Sequence, residues 1–397
     1  MKKPWIPTLI VCAAVLLAAA LITGYGTDRA RDSLMKVGFV YSEDESTPYT
    51  ANFVQAQRAL AAEFGEKVQI LQRSNVLSRD CEQPLRDLIR EGCELLFINL
   101  DSDIPITMAR EFPGVQFCQV SLPGITLDGT PENYHTFNGE ISQARYVSGI
   151  AAGMKLRQML DSGALRAEDA LIGFVGANDS PEVVSGYTAF LLGARSVAPE
   201  ARMRVRYTGS WGNFNTEKEQ TRRLIEEGCV IIGQHVNTTA SAVACEEAVA
   251  AGHTVFHVGY HQSMMDVAPS CALVSIRTNW APYILEAARA VMEGKIIEET
   301  VQGHAHGRDM SAGFENGWVE MLELNRFIAA DGTAEKMERA IDGLKRGRIR
   351  VFSGNYTGVN PRNPGDVIDL NAGYTEYQNS SNPSFYYLLQ GYIETEN

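Results

Sequence analysis

The chain has few basic residues for its length and lacks the short motifs of the common enzyme classes. Its 397 residues include 35 Lys and Arg against 48 Asp and Glu, which gives a formal net charge of −13. That charge opposes binding to phosphate backbones, so we expect no nucleic-acid partner. The sequence contains no Gly-x-Ser-x-Gly, P-loop, Gly-x-Gly-x-x-Gly or His-Glu-x-x-His pattern, and we expect a protein that is not an enzyme.

Cysteine is also scarce, and no two cysteines are spaced as Cys-x-x-Cys. We therefore predict no metal site and no cofactor. Six of the seven cysteines follow the N-terminal segment, and Cys93, Cys118 and Cys229 adjoin or lie in apolar runs typical of strands. Free thiols behave in such runs as small buried hydrophobes, so we favour them over the disulfides that an exported chain permits.

The N-terminus has the features of an export signal. Lys2 and Lys3 precede an apolar stretch at 6–22, which only Pro7 and Thr8 interrupt. The stretch is also nearly long enough to span a bilayer, so an uncleaved anchor is an equal alternative to a cleaved signal. In both cases residues 1–33 form the signal or anchor with a polar linker, and the rest of the protein lies outside the cytoplasm.

One short phrase occurs twice in the chain. Residues 88–93 read Leu-Ile-Arg-Glu-Gly-Cys, residues 224–229 read Leu-Ile-Glu-Glu-Gly-Cys, and an apolar run follows each. Gly92 and Gly228 can adopt the left-handed conformation that ends a helix, and each following run suits a strand buried on both faces. Strand-like and helix-like segments alternate along the chain and restart near residue 140, which predicts two parallel α/β lobes.

Polar residues follow the strand of each repeat. Parallel strands place such residues at one edge of the sheet, where ligands of open α/β folds bind. We therefore predict a cleft between the lobes with polar ligand contacts. The candidates are Asp101 and Ser102 in the first half, and Gln234, His235 and Asn237 in the second.

Several longer phrases together resemble a known family. They are Ile-Gly-Phe-Val-Gly at 172–176, Gly-Ala-Arg-Ser-Val-Ala-Pro-Glu at 193–200, Gly-Gln-His at 233–235, Val-Gly-Tyr at 258–260 and Asn-Trp-Ala-Pro-Tyr at 279–283. In order and spacing they are similar to the basic membrane protein family of ABC-transporter substrate-binding proteins, whose characterised members bind purine nucleosides. The resemblance extends over about residues 36–369.

The resemblance implies a type I periplasmic-binding-protein fold, in which three crossing segments join two Rossmann-like α/β lobes. Lobe 1 would comprise 34–137 and about 278–310, and lobe 2 would comprise 138–277 and about 311–397. The implied function is ligand capture for an ABC importer, with a permease and an ATPase as partners and the binding protein itself a monomer. A membrane-tethered ligand sensor of the same fold is the alternative.

Two positions depart from the nucleoside-binding members. Those members carry Gly-Val-Asp after a strand, with the Asp on the ribose hydroxyls, whereas here Gly259 is followed by Tyr260 and His261. A Lys that contacts ribose in those members is replaced by Thr278. The resemblance therefore favours a free purine base as ligand, with an intact nucleoside second.

A purine needs aromatic plates for its faces and polar partners for its rim. The aromatic candidates are Tyr49, Trp211, Tyr260 and Trp280, although Trp211 and Trp280 also suit packing roles. Asn213 lies where relatives tend to place Asp, and Asp266 follows Tyr260 in a loop near the cleft.

Overall fold

The structure is a computed structural model that describes residues 34–121 and 127–396. The predicted export signal at 1–33 therefore lies outside the described residues. Among the helices of the described residues, none combines the length and the apolar character needed to cross a bilayer.

Strands and helices alternate along most of the described chain. The strands are β1 (Met35–Tyr41), β2 (Val68–Arg73), β3 (Leu95–Asn99), β4 (Gln116–Val120), β5 (Tyr134–Gly139), β6 (Leu171–Gly176), β7 (Arg202–Tyr207), β8 (Ile231–His235), β9 (Phe256–Tyr260), β10 (Ala272–Thr278), β11 (His304–His306), β12 (Asp309–Ala312), β13 (Val319–Met321), β14 (Thr357–Asn360), β15 (Asn363–Asp369), β16 (Leu388–Leu389) and β17 (Ile393–Glu396). The helices are α1 (Pro48–Phe64), α2 (Glu82–Arg90), α3 (Ile104–Glu111), α4 (Ile141–Asp161), α5 (Pro181–Arg195), α6 (Phe214–Glu226), α7 (Ala240–Ala250), α8 (Ala281–Glu293), α9 (Ile297–Thr300) and α10 (Thr333–Lys345).

The strands form two seven-stranded sheets, one in each lobe. The first has the order β11-β12-β5-β4-β3-β1-β2 and the second the order β13-β10-β9-β8-β6-β7-β17. Pairing is parallel except at one edge of each sheet, where β11 and β13 run antiparallel to their neighbours. Helices cover both faces of each sheet, so inner strands such as β3 and β8 are buried along their whole length.

The chain passes between the two sheets three times. It leaves the first lobe between β5 and α4, returns between β10 and α8, and leaves again between β12 and β13. Each lobe is therefore assembled from separate segments of the chain. This connectivity brings the carboxyl ends of the strands of both lobes to a shared cleft.

Helices α4 and α5 of the second lobe approach each other with glycine at the contact. A Cβ at Gly193 would lie 1.9 Å from the carbonyl oxygen of Tyr146, and a Cβ at Gly149 would lie 2.0 Å from the carbonyl oxygen of Phe190. Only glycine permits backbones to meet this closely. The relative position of the two helices, which carry residues of the cleft, is consequently set by these glycines.

The last part of the chain packs mainly on the second lobe. Helix α10 packs against α4, β17 extends the second sheet beside β7, and β14 to β16 form a small separate sheet. The same segment also reaches the first lobe, because Ser380 Oγ and Ser381 N both donate to Asp309 Oδ2, at 3.0 and 2.7 Å. It therefore links the two lobes near the third crossing.

Most of the predicted elements are present, but one central strand was missed. The sequence indicated strand 95–98 and helix 104–111, which the structure has as Leu95–Asn99 and Ile104–Glu111. It did not indicate β5, whose polar His135 and Thr136 are buried in the sheet. The six cysteines of the described residues are all buried and free.

Candidate ligand-binding cleft

Residues of the two lobes meet at the carboxyl ends of their strands. From the first lobe, the ring of Tyr49 at the start of α1 lies 5.2 Å from the ring of His261, edge to face. Asn52, one turn later, donates from Nδ2 to the carbonyl oxygen of Thr278 at 2.5 Å. These contacts place the beginning of α1 against the ends of β9 and β10.

His261 has an unusual backbone conformation for a residue with a side chain. Its φ is 69°, and its N–H donates to the carbonyl oxygen of Ile276 at 2.8 Å. Its ring stacks on Tyr260 at 3.5 Å, and its Nε2 lies 3.2 Å from Asn237 Oδ1. Strained backbone of this kind concentrates at functional sites, where the surrounding structure holds it.

Arg145, in the second turn of α4, is fully buried beneath the cleft. Its guanidinium carbon lies 4.1 Å from the centre of the Tyr260 ring, a cation–π contact. Nη1 donates to the carbonyl oxygen of Gln234 at 2.7 Å, which ties α4 to the end of β8. Nε and Nη2 are buried with no hydrogen-bond acceptor among the described residues.

His235 ends β8 and lies between the strand ends and α5. Both of its ring nitrogens are buried without a hydrogen-bond partner among the described residues, and its Nε2 is 3.7 Å from Glu182 Oε1. The ring fits because α5 has Gly186 beside it, where a Cβ would lie 2.6 Å from His235 Nδ1. Arg145, Glu182 and His235 thus form one polar cluster.

Burial sets the charges of this cluster. It lowers the pKa of Arg145 only to about 10, so the guanidinium stays charged. It raises the pKa of Glu182 to about 7, although nearby Arg145 favours the ionised form. Burial, reinforced by the charge of Arg145, holds the pKa values of His235 and His261 well below the usual range, so both rings are neutral.

Other buried polar atoms near the strand ends also lack partners within the described chain. In the first lobe these are Glu43 Oε2 and Asn99 Nδ2, and in the second they are Asn178 Oδ1, Ser180 Oγ and His261 Nδ1. Buried polar groups are normally hydrogen-bonded, and an orphan indicates a missing partner. Because they follow strands whose carboxyl ends face the cleft, these atoms suit a flat ligand with donors and acceptors around its rim.

Five of the residues predicted from the sequence come together here. Tyr49, His235, Asn237 and Tyr260 are in the cluster of rings just described. Trp211 lies at its edge, with its ring 5.9 Å from that of His235, and is 36% exposed. The carbonyl oxygen of Trp211 accepts from the N–H of Asn237 at 2.7 Å, and this bond holds the loop that carries Trp211 against the end of β8.

Three other predicted residues have internal partners. Gln234 is buried, with Nε2 donating to the carbonyl oxygens of Val236 and Thr238 and Oε1 2.9 Å from His257 Nε2. Asn213 caps α6, its Oδ1 accepting from a main-chain N–H at 3.1 Å. Trp280 stacks on a phenylalanine in the core of the first lobe at 4.4 Å.

The remaining predicted residues lie apart from the ring cluster. Asp101 and Asp266 are exposed. Ser102 Oγ accepts from the N–H of Ile104 at 3.3 Å and so supports the start of α3.

Arg145 and Glu182 were not predicted, because nothing in their sequence context distinguishes them. Arg145 lies within a long helical pattern, where a lone Arg is typical of a solvated face. Glu182 follows Pro181 in the first turn of a helix, where an acidic residue is favoured by the helix dipole. His261 was noted only as the residue after Tyr260.

Comparison with known proteins gives a consistent picture. A model of the Bmp family, described as ABC transporter substrate-binding protein PnrA-like, matches residues 37–342. A purine-binding protein of Brucella abortus (strain 2308) is 27% identical over 346 residues, which is 85% of this chain and 89% of that protein. A putative ABC transporter glucose-binding protein of Haloferax volcanii is 33% identical over 165 residues, which is 42% of this chain and 38% of that protein.

Among solved structures, a solute-binding protein of an ABC transporter system from Conexibacter woesei is similar. Its TM-score is 0.62 at 19% identity, and the match covers 80% of this chain and 98% of that one. At this identity the likeness shows the fold alone. It confirms the type I periplasmic-binding-protein fold that the sequence predicted.

Proposed function

We propose that this chain, which belongs to the PnrA-like family of ABC transporter substrate-binding proteins, captures a purine base in the cleft between its lobes for import. Its family is one of solute-binding proteins, which are in general not enzymes. The permease and ATPase of the importer would be its partners, and a monomer would be the working unit. The purine-binding relative from Brucella abortus supports this ligand class.

The observation that carries the proposal is the combination of aromatic rings with unpartnered polar atoms at the strand ends. Tyr49 and Trp211 offer ring surfaces, and stacking on a base is worth about 1–3 kcal/mol per ring. The ring of Tyr260 is itself packed between His261 and Arg145 and so supports the site from below. His235 adds two ring nitrogens that have no partner among the described residues. A purine has two flat faces and polar atoms on every edge, so it can use both kinds of group.

A free base is favoured over its ribonucleoside because neither of the two positions that hold ribose in nucleoside-binding members carries a charged group here. His261 stands where those members carry the Asp of Gly-Val-Asp, and its ring is neutral and stacked on Tyr260. The Thr278 side chain hydrogen-bonds that of Tyr260. Losing a hydrogen bond to a charged group forfeits about 1.5–3 kcal/mol, so ribose would add little affinity here.

The test is calorimetric titration of the purified full-length chain with adenine, guanine, hypoxanthine, their ribonucleosides and D-glucose. We expect the bases to bind more tightly than the nucleosides and glucose not to bind. Trp211→Ala should weaken the binding of a base by about 1–3 kcal/mol, whereas Phe327→Ala, which removes a ring that is 98% exposed, is the matched control and should change nothing. A nucleoside that binds ten times more tightly than its base would contradict the free-base assignment, and binding of glucose alone would contradict the purine class.

The importer component and the alternative, a membrane-tethered sensor, would both act outside the cytoplasm, so the location of the protein tests both. We infer an extracytoplasmic protein, which is what the family implies and what the sequence at 1–33 predicts. Cell fractionation should recover the chain from the membrane or the extracytoplasmic pool. Recovery of the full-length chain from the cytosol would rule out import.

A further inference from the structure

We propose that the ligand of the cleft is an oxopurine, a purine with a ring carbonyl beside a ring N–H, which Arg145 and Glu182 recognise together. The inference rests on the proposed function, because it names the kind of purine that the same cleft would take. It follows from the chemistry of one buried and one partly buried side chain that the sequence did not single out.

Arg145 requires hydrogen-bond acceptors on its ligand. A guanidinium has only donors, and two of its nitrogens, Nε and Nη2, are buried with no acceptor among the described residues. Nη1 donates to the carbonyl oxygen of Gln234, and the side chain of Tyr260 also interacts with the guanidinium, but no carboxylate forms a salt bridge with it to compensate the charge. A buried guanidinium in this state needs a ligand with acceptors in the plane of its fork.

The acceptor pattern of a purine depends on its substituent at C6. An oxopurine carries a carbonyl at C6 beside N7, two adjacent acceptors that match the two free N–H groups of an arginine. Adenine has an amino group there, so a donor would face a donor. Arg145 therefore discriminates between the two classes, whichever of its nitrogens makes the closer contact.

Glu182 supplies the complementary group. Its carboxylate lies at the start of α5, 3.7 Å from His235 and within the electrostatic reach of Arg145. An ionised carboxylate only accepts hydrogen bonds, and N1 of an oxopurine carries a hydrogen whereas N1 of adenine does not. Around His235 the protein therefore offers a donor, Arg145, and an acceptor, Glu182, which would pair with the carbonyl oxygen and the N1–H of the ligand.

The groups around Glu182 leave it as the titrating member of the site. Arg145 of α4 stays charged, and burial holds the pKa values of His235 and His261 well below the usual range, so neither ring carries a charge near neutral pH. Tyr49 and Tyr260 have pKa values that burial raises far above neutral. Glu43 of the first lobe faces the same region as a second acidic group. Ionisation of Glu182 near neutral pH is therefore coupled to ligand binding.

The first experiment uses the unaltered protein. Hypoxanthine, guanine, adenine and unsubstituted purine are titrated by calorimetry into the full-length chain at pH 8. We expect hypoxanthine and guanine to bind at least about tenfold more tightly than adenine and purine, since only they offer the carbonyl and the N1–H. Adenine that binds as tightly as hypoxanthine overturns the inference but leaves the proposed function intact. If no purine binds, both fail.

Variants then assign the discrimination to the two residues. Glu182→Gln should weaken hypoxanthine at least about tenfold and leave adenine within about twofold, because the neutral amide oxygen is a weaker acceptor for the N1–H than a carboxylate. Arg145→Lys keeps the charge but loses the planar fork, so the preference for hypoxanthine should shrink. Equal losses for hypoxanthine and adenine in Glu182→Gln would overturn the assignment. Should Arg145→Lys fail to fold, the ligand series and Glu182→Gln decide the matter.

Discussion

Replacing Gly193 by Ala should separate the two helices that carry the charged residues of the cleft. An added Cβ would lie 1.9 Å from the carbonyl oxygen of Tyr146, across the contact between α5 and α4. That oxygen belongs to helix backbone and cannot rotate away as a side chain would. The helices must therefore move apart by about 1 Å or more.

Two opposing effects set the change in the free energy of unfolding of Gly193→Ala. Ala stabilises a helix interior relative to Gly by about 1 kcal/mol, whereas overpacking a well-packed core costs about 1–3 kcal/mol. Moving α4 away also loosens the second close approach, at Gly149, so the cost should lie at or above the top of that range. We expect a net loss of about 2 kcal/mol, which lowers the melting temperature of a lobe of this size by about 4–8 °C.

Differential scanning calorimetry of the full-length chain measures this. The control is Gly114→Ala, because a Cβ at that position would have nothing within 4 Å. Ligand affinity should also fall in Gly193→Ala, since Arg145 and Glu182 would move relative to one another. A Gly193→Ala protein that melts at or above the temperature of the unaltered chain would show that the close approach does not constrain the helices.

Three further predictions address the site, the hinge and the C-terminal segment. Burial raises the pKa of Glu182 to about 7, and its carboxylate must be ionised to accept the N1–H, so the affinity for hypoxanthine should rise between pH 6 and pH 8. Calorimetry of Glu182→Gln should show no such rise. A rise that persists in this variant would implicate another group. Small-angle scattering should show compaction on saturation with ligand, and an unchanged radius of gyration would argue against hinge closure. In Asp309→Asn, Ser380 and Ser381 lose the charged carboxylate oxygen to which both donate, which should destabilise the segment by about 1–3 kcal/mol. Amide hydrogen exchange at 374–386 should then accelerate by at least about tenfold. Unchanged exchange would mean that other contacts hold the segment.

The order of secondary elements could be predicted because it depends on local signals. Gly92 and Gly228 each have positive φ and end a helix, and the strand that follows is buried. The two α/β lobes, their strand-end cleft and the type I fold follow from that repeat and from the family resemblance. Strand β5 escaped prediction because its His135 and Thr136 are paired with Glu298 and Asp309, residues far away in the chain.

The site was predicted only in part, and the limit is physical. His235 and Tyr260 could be proposed as site residues because parallel strands bring their carboxyl ends to one edge, which the strand pattern alone implies. Whether a polar side chain at that edge faces a ligand or an internal partner depends on its neighbours in space. Gln234 shows this, since it directly precedes His235 but is bonded within its own lobe.

By itself, then, the sequence determined the repeated helix–strand units, the aromatic and polar residues at strand ends, and the family. The tertiary structure alone decided that Arg145 and Glu182 meet beside them. Both lie on helices, and the environment of a helical side chain is set by what packs against its face. Here that packing depends on backbone contacts at Gly149 and Gly193, 44 positions apart in numbering, which no local pattern encodes.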